Sequence, residues 1–219
     1  MSSITTPVDQ TRSEKLWAEI ATLLAEAGQT IQDVDIFSVC RGPGGFTGLR
    51  VGMAAVKGFA AAMNKPIAGV TSLEAAAISA ESDKAYALVN AYKGEVYSQL
   101  FSVDEDVPVA RNAATVSTFE KAIERVADVK DLVFAGDGTE AGKTAIEKEA
   151  HARGEGKWAI KQPDRCLAED IARLAFLKHS RGEVENAASL KACYVRQAEA
   201  EIKLSLGLLG TKIKRSMKS

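Results

Sequence analysis

Arg41-Gly42-Pro43-Gly44-Gly45-Phe46-Thr47-Gly48 is the stretch on which the reading of this chain turns. It follows a short apolar run, residues 36–40, with the length and β-branched content of a buried strand. It precedes residues 49–63, which are built largely of Ala, Gly, Val and Met and read as a helix. Glycine permits positive φ and close backbone approach, and a helix start presents unpaired amides and a partial positive charge. The junction is therefore suited either to cradling a phosphate or to a tight turn that packs strand and helix closely. Its spacing is not that of a Walker loop, and Thr47 stands where a dinucleotide fingerprint requires glycine.

The helix after the loop has two flanks with little side-chain bulk. Gly48, Gly52 and Ala55 fall on one, and Ala54, Gly58, Ala61 and Ala62 lie near another. A glycine inside a helix costs about 1 kcal/mol relative to alanine, so three of them imply a packing reason. The close neighbour is either the first helix of this chain or a helix of another protein.

Working outward, residues 14–27 carry Leu16, Ile20, Leu23, Leu24 and Ala27 at helical spacing. Thr11 and Glu14 have capping-box spacing before them, and Gly28 stops the helix. Residues 1–10 read as an irregular lead-in and 66–70 as a strand. The order helix, strand, helix, strand predicts a layered α/β unit with parallel strands. Polar residues 80–84 mark a boundary. Beyond it come strands at 85–90 and 95–103 joined by a turn at Tyr92-Lys93-Gly94. A capping box at Ser117 and Glu120 predicts a helix to about residue 127. A strand at 131–135 then meets Gly136-Asp137-Gly138, and a helix at 139–150, a strand at 158–160 and a helix at 167–180 follow. The organisation expected is an N-terminal lobe over 1–80, a second α/β lobe over 81–200 and a basic tail over 201–219.

The 219 residues are 46% hydrophobic and 26% charged, enough to bury a substantial core. No run of eighteen apolar residues and no signal peptide is recognisable, so neither a membrane span nor secretion is indicated and the cytoplasm is the expected location. Cys40, Cys166 and Cys193 are scattered, which suits reduced thiols and predicts no disulfide and no structural zinc. A net charge of −1 argues against a protein that grips nucleic acid by itself. The exception is the tail, where Lys203, Lys212, Lys214, Arg215 and Lys218 follow Glu201 without an acid. It reads as a solubilising terminus or as a contact for tRNA or an acidic partner.

The words Arg41-Gly-Pro-Gly-Gly-Phe-Thr-Gly-Leu-Arg-Val-Gly52 closely resemble the hallmark Arg-Gly-Pro-Gly-Ser-Phe-Thr-Gly-Leu-Arg-Ile-Gly of the TsaB (YeaZ) family, with Gly45 in place of serine. Ser13-Glu14, Pro66-Ile-Ala-Gly-Val-Thr-Ser-Leu-Glu74, Gly94-Glu-Val-Tyr97 and Tyr194-Val-Arg196 stand where family members carry similar words. The resemblance runs from about residue 12 to 200. It implies a two-lobed fold of the actin-like ATPase, ribonuclease H-like kind. It also implies a non-catalytic scaffold, which pairs with a catalytic threonylcarbamoyl transferase subunit resembling TsaD. An ATPase subunit resembling TsaE joins them, and the complex modifies adenosine 37 of tRNAs reading codons that begin with A. Pairing in the family uses the two helices that here span about 14–27 and 49–63. The residues expected at the partner are therefore Leu16, Ile20, Leu23, Gly48, Gly52, Ala55 and Phe59, beside the glycine-rich loop from Arg41 through Gly48 with Arg50.

The chain also departs from the pattern. Asn90-Ala91-Tyr92-Lys93 stands where the family has Asp-Ala-Arg, and Ala192 replaces a proline. The family's opening three strands, the first ending in an Asp-Thr turn, have no counterpart, so the N-terminal lobe is expected to lack its first three strands. The expectation is a truncated reading frame or, alternatively, a divergent subunit whose strands a partner supplies. Loss of the opening turn argues against ATP hydrolysis, and no cofactor is expected.

The competing reading is an enzyme, a peptidase or kinase of the actin-like superfamily; a homodimeric module is a third. The catalytic relative binds metal through a His-x-x-x-His pair, whereas His151 and His179 are far apart and have no cysteine nearby, so no metal site is expected. Asp104, Asp137, Glu199 and Glu201 read as turn and surface acids, and no catalytic residue is assigned.

Overall fold

Two apolar segments flanking the glycine loop build one sheet of the protein, and a run buried on both sides centres the other. A computed structural model describes residues 3–4, 12–152, 157–162 and 166–196. Phe37–Cys40 (β1) and Ile67–Val70 (β2) pair in parallel, Phe37 opposite Ile67 and Cys40 opposite Val70. Each is thus the other's paired neighbour, and no described strand lies on the far edge of β1. The outer edge of β2 is met by Glu185, which exchanges two backbone bonds of 2.8 Å with Ile67.

The second sheet has strand order β5-β4-β3-β7-β8, with β6 also on β4. Its strands are Lys84–Tyr92 (β3), Glu95–Asp104 (β4), Val107–Ala110 (β5), Thr115–Thr118 (β6), Leu132–Ala135 (β7) and Trp158–Lys161 (β8). β3 runs antiparallel to β4 and parallel to β7, the mixed arrangement of a sheet with a hairpin edge. Alternation on β3 sorts the core. Ala85 and Ala87 face the buried Leu73, Ala76 and Ala77, whereas Tyr86 and Leu88 face Phe119, Phe134, Ile146 and Trp158. On that second face the Tyr86 hydroxyl donates to Ala122 O at 2.9 Å and Trp158 Nε1 to Val129 O at 2.9 Å, so both buried polar tips are satisfied.

The helices are Arg12–Glu26 (α1), Phe46–Met63 (α2), Ser72–Ser79 (α3), Phe119–Glu124 (α4), Lys143–Ala152 (α5) and Leu167–Ser180 (α6). α2 lies on one face of the β1-β2 sheet through Met53 and Ala60, joined there by Leu190. α6 lies on the other through Ile171, Leu174 and Ala175, against Ala68 and Val70. α3 connects the sheets. It is buried all round and opens with a capping box: Thr71 N donates to Glu74 Oε2 at 2.7 Å, and Glu74 N donates to Thr71 Oγ1 at 3.0 Å. Among the described residues no helix is long and apolar enough to cross a membrane.

Several sequence expectations need correction. α2 begins at Phe46, so the last three residues of the loop form its first turn. Ser117 does not cap α4; it is paired within β6 opposite Val96, and Thr118 takes the cap position. Residues 137–142 form a 3-10 turn before α5. α3, β5 and β6 were not anticipated. Thr11 of the first capping box, the tail over 201–219, and Glu199 and Glu201 lie outside the described residues.

Candidate functional site

The glycine loop is held at its start and opens at its end. Arg41 N donates to Val70 O at 2.8 Å and Ser72 N to Gly42 O at 3.0 Å, while Ser72 Oγ donates to Pro43 O at 2.5 Å. Gly42 has φ +100°, follows the last β1 register position by two residues, and is joined to Pro43 by a cis peptide. A Cβ at Gly42 would come within 2.9 Å of Cys193 O. Gly44, Gly45 and Gly48 meet nothing within 4 Å of such a Cβ. Only the first glycine is demanded by close packing; the others keep space clear.

That space is a cleft of about 480 Å³ between the two sheets. Pro43, Gly44 and Gly45 form one wall, Ser72 and Ala76 of α3 the floor, and Gly136 with Asp137 part of the opposite wall. Gly136 has φ +105° and lies against the Leu88 carbonyl, where no side chain fits. Asp137 Oδ1 accepts from Asn90 N at 2.9 Å. Sequence reading missed the α3 side of this cleft, although the Thr71-x-x-Glu74 spacing was the signal that could have located it.

Arg41 serves the frame of the loop. Its stem crosses β2 at Gly69, where an added Cβ would meet Arg41 Cδ at 3.0 Å and Leu190 Cδ1 at 2.8 Å. Its guanidinium reaches Glu185 Oε2 at 3.4 Å. A neighbouring half-buried pair, Lys178 Nζ to Glu74 Oε1 at 2.9 Å, ties α6 to α3, and the same ammonium donates to Gly69 O at 3.2 Å. Burial pushes the Glu74 carboxyl up, but the Lys178 charge and the hydrogen bonds from Lys178 and Thr71 outweigh it, leaving Glu74 below the usual carboxylate value. Burial raises the Cys40 thiol, with hydrogen bonds from the Gly42 and Ser72 backbones opposing it in part.

Two of the sequence words meet in space. Arg196 forms an ion pair with Glu95 and lies 6.0 Å from the Tyr97 ring centroid. Phe46 is half exposed at the start of α2, with the Arg50 guanidinium 3.8 Å above its ring and Tyr194 at 6.0 Å. Tyr92, Lys93 and Gly94 all have positive φ, which is the predicted turn between β3 and β4.

The residues expected at a partner divide in two. Leu16, Ile20 and Leu23 of α1 and Gly52, Ala55 and Phe59 of α2 line a single groove of about 400 Å³ between the helices. Trp17 stands edge-on to Phe59 at 5.2 Å, and Phe59 stacks on Phe37 at 5.6 Å. Ala55 is buried, and Gly52 sits 3.7 Å, measured from an added Cβ, from Val39 Cγ2. Gly48 lies apart, at the cleft. The second small flank of α2 is the outward one: Ala54, Gly58, Ala61 and Ala62 are all exposed, and nothing lies within 4 Å of a Cβ at Gly58. Trp17 of α1 is also half exposed. His151 on α5 binds Glu147 O through Nδ1 at 2.7 Å, and His179 lies exposed on α6; Asp104 is exposed at the end of β4. Among the described residues no group of three His, Cys, Asp or Glu converges.

The family model described as "TsaD: tRNA N6-adenosine threonylcarbamoyltransferase" matches residues 7–204. The chain is 28% identical to the tRNA threonylcarbamoyladenosine biosynthesis protein TsaB of Bacillus subtilis over 204 residues, covering 90% of this chain and 85% of that protein. It is 29% identical to the protein of the same name from Escherichia coli over 98 residues, covering 43% and 42%. The solved structure of YeaZ from Pseudomonas aeruginosa superposes with a TM-score of 0.68 at 25% identity, covering 86% of each chain.

Proposed function

Because the chain belongs to the TsaB (YeaZ) family, inside the wider group matched by the threonylcarbamoyltransferase model, and so to tRNA threonylcarbamoyladenosine biosynthesis, we propose that it is the non-catalytic, partner-binding subunit of that pathway's TsaD-related complex. The observation that carries this reading is the outward flank of α2. Ala54, Gly58, Ala61 and Ala62 give an exposed strip of small residues on α2, bordered by Arg50 and Lys57, against which another helix backbone can close. An exposed Trp17 on the adjoining α1 supplies the kind of aromatic anchor found at interface centres.

In this reading the seven residues singled out from the sequence act at two levels. Leu16, Ile20, Leu23, Gly52, Ala55 and Phe59 set α1 beside α2, and the face so formed meets the catalytic subunit. Gly48 holds the loop end open beside it. The partner supplies the reacting groups, tRNA is engaged through the complex, and a TsaE-like ATPase subunit acts on the assembled pair. The separation of His151 and His179 on different helices supports placing the chemistry in the partner.

Co-purification with the catalytic subunit tests the reading. Gly58→Trp places a large ring on the open flank without touching the core, so retention should fall at least tenfold while the thermal midpoint stays within a few degrees of wild type. Full retention by Gly58→Trp and by Ala54→Trp would remove α2 from the interface.

A further inference from the structure

Three planar side chains gather in the open at the start of α2. Phe46 has the Arg50 guanidinium 3.8 Å from its ring centroid on α2 itself, and the Tyr194 ring at 6.0 Å, tilted by 38°. Tyr194 is 54% exposed, so the cluster ends on a ring that a further planar group can meet. That ring is held in place from both directions along the chain. Cys193 N donates to Arg41 O at 2.7 Å just before it, and Arg196 pairs with Glu95 just after it. The platform is therefore set before any ligand arrives.

The charge beside it has one sign. α2, Phe46–Met63, contains Arg50 and Lys57 and no Asp or Glu. At 3.6 residues per turn, positions 46, 50 and 57 fall within about 40° of one another around the helix axis, so both cations share the line of Phe46. Lys161, Arg173, Lys178 and Arg196 are each held by a carboxylate, whereas among the described residues neither Arg50 nor Lys57 forms an ion pair. An arginine held over a ring still has N–H donors for a phosphate, which a carboxylate partner would have occupied. Open rings for bases beside free cations for phosphates are the combination that binds single-stranded nucleic acid.

We propose that Phe46, Tyr194, Arg50 and Lys57 form a contact for single-stranded RNA, in which an unpaired base stacks on Tyr194 and the two cations meet phosphates. The identity of the RNA rests on the function proposed above, whose substrate presents adenosine 37 in an unpaired loop. An acidic protein surface would use the two cations but has no need of an open ring, and a duplex offers phosphates without a free base face. The line of Phe46, Arg50 and Lys57 borders the strip of Ala54, Gly58 and Ala61, so the RNA lies at the edge of the face given to the catalytic subunit.

With a net charge of −1 the chain has little general attraction for RNA, so the contact is read at low salt. Fluorescence anisotropy of a labelled RNA stem-loop with an unpaired anticodon-type loop, titrated with the full-length chain alone, tests it. Tyr194→Leu and Arg50→Gln should each weaken binding at least fivefold, and Tyr194→Phe should bind as wild type. A fully paired RNA of the same length should bind at least fivefold more weakly than the stem-loop. Thermal midpoints within a few degrees of wild type are the control for folding. Absence of binding by wild type, equal binding by Tyr194→Leu and Arg50→Gln, or equal binding of the paired RNA would overturn the proposal. So would variants that bind RNA like wild type but lose the catalytic subunit in co-purification, which would assign the patch to a protein contact. Because the titration contains no catalytic subunit, its failure leaves the partner-binding reading standing, and failure of the Gly58→Trp test leaves the RNA contact standing.

Discussion

At Gly42 the backbone has φ +100°, and an added Cβ would approach Cys193 O at 2.9 Å and Leu49 Cδ1 at 3.1 Å. Gly42→Ala is strained by both its dihedral and its neighbours, and we expect it to cost about 1–3 kcal/mol in urea unfolding. Gly44→Ala meets open space and should change stability by less than about 0.5 kcal/mol. The sequence shows four glycines of equal standing; which one is indispensable depends on Cys193, 151 positions away, and local reading has no access to that contact. Glu74 is a second case. Its folded-state value lies below the ordinary 4.5, so its contribution to stability is full above that value and is lost as pH falls through the folded one. Glu74→Gln should lower stability at pH 7 by roughly 1–3 kcal/mol. Its unfolding free energy should also fall less steeply than wild type below about pH 4.5, as followed by chemical denaturation across pH.

At the scale of elements, what the sequence revealed depended on how each element is buried. α1 and α6 have one wet face, so their apolar period was legible. α3 was not, because Ser72, Leu73, Ala75, Ala76, Ala77, Ile78 and Ser79 are all buried and a helix without a wet face has no amphipathic signal. The Ser117-x-x-Glu120 spacing misled for the opposite reason: pairing of Ser117 with Val96 in the sheet overrides a local capping preference. The turn between β7 and α5 carries its own test. Phe119, anchored in the core, occupies the space that a Cβ at Gly142 would need. Gly142→Ala should therefore cost about 1–3 kcal/mol, while Gly182→Ala, which meets no neighbour but has φ +72°, should cost about 1 kcal/mol; both are read from thermal midpoints.

For the whole molecule, two sheets are joined by α3 and braced by α6, with the glycine loop at the mouth of the cleft between them and the α1-α2 pair on the outside. The family was legible because its signature falls in one continuous stretch from strand to helix. The orientation of α2 was not, since both of its small flanks look alike in one dimension and only the placement of β1 and α1 shows which turns outward. That orientation underlies the reading of the chain as a subunit whose work is to bind and position a catalyst. Reconstituted transfer of threonylcarbamoyl to adenosine 37, with the catalytic and ATPase subunits, tRNA and this chain added in turn, tests that reading most directly. The account predicts no product with this chain as the only protein, product when the full set is combined, and at least a tenfold loss when Gly58→Trp replaces wild type. Transfer at an undiminished rate without this chain, or transfer by this chain alone, would contradict it.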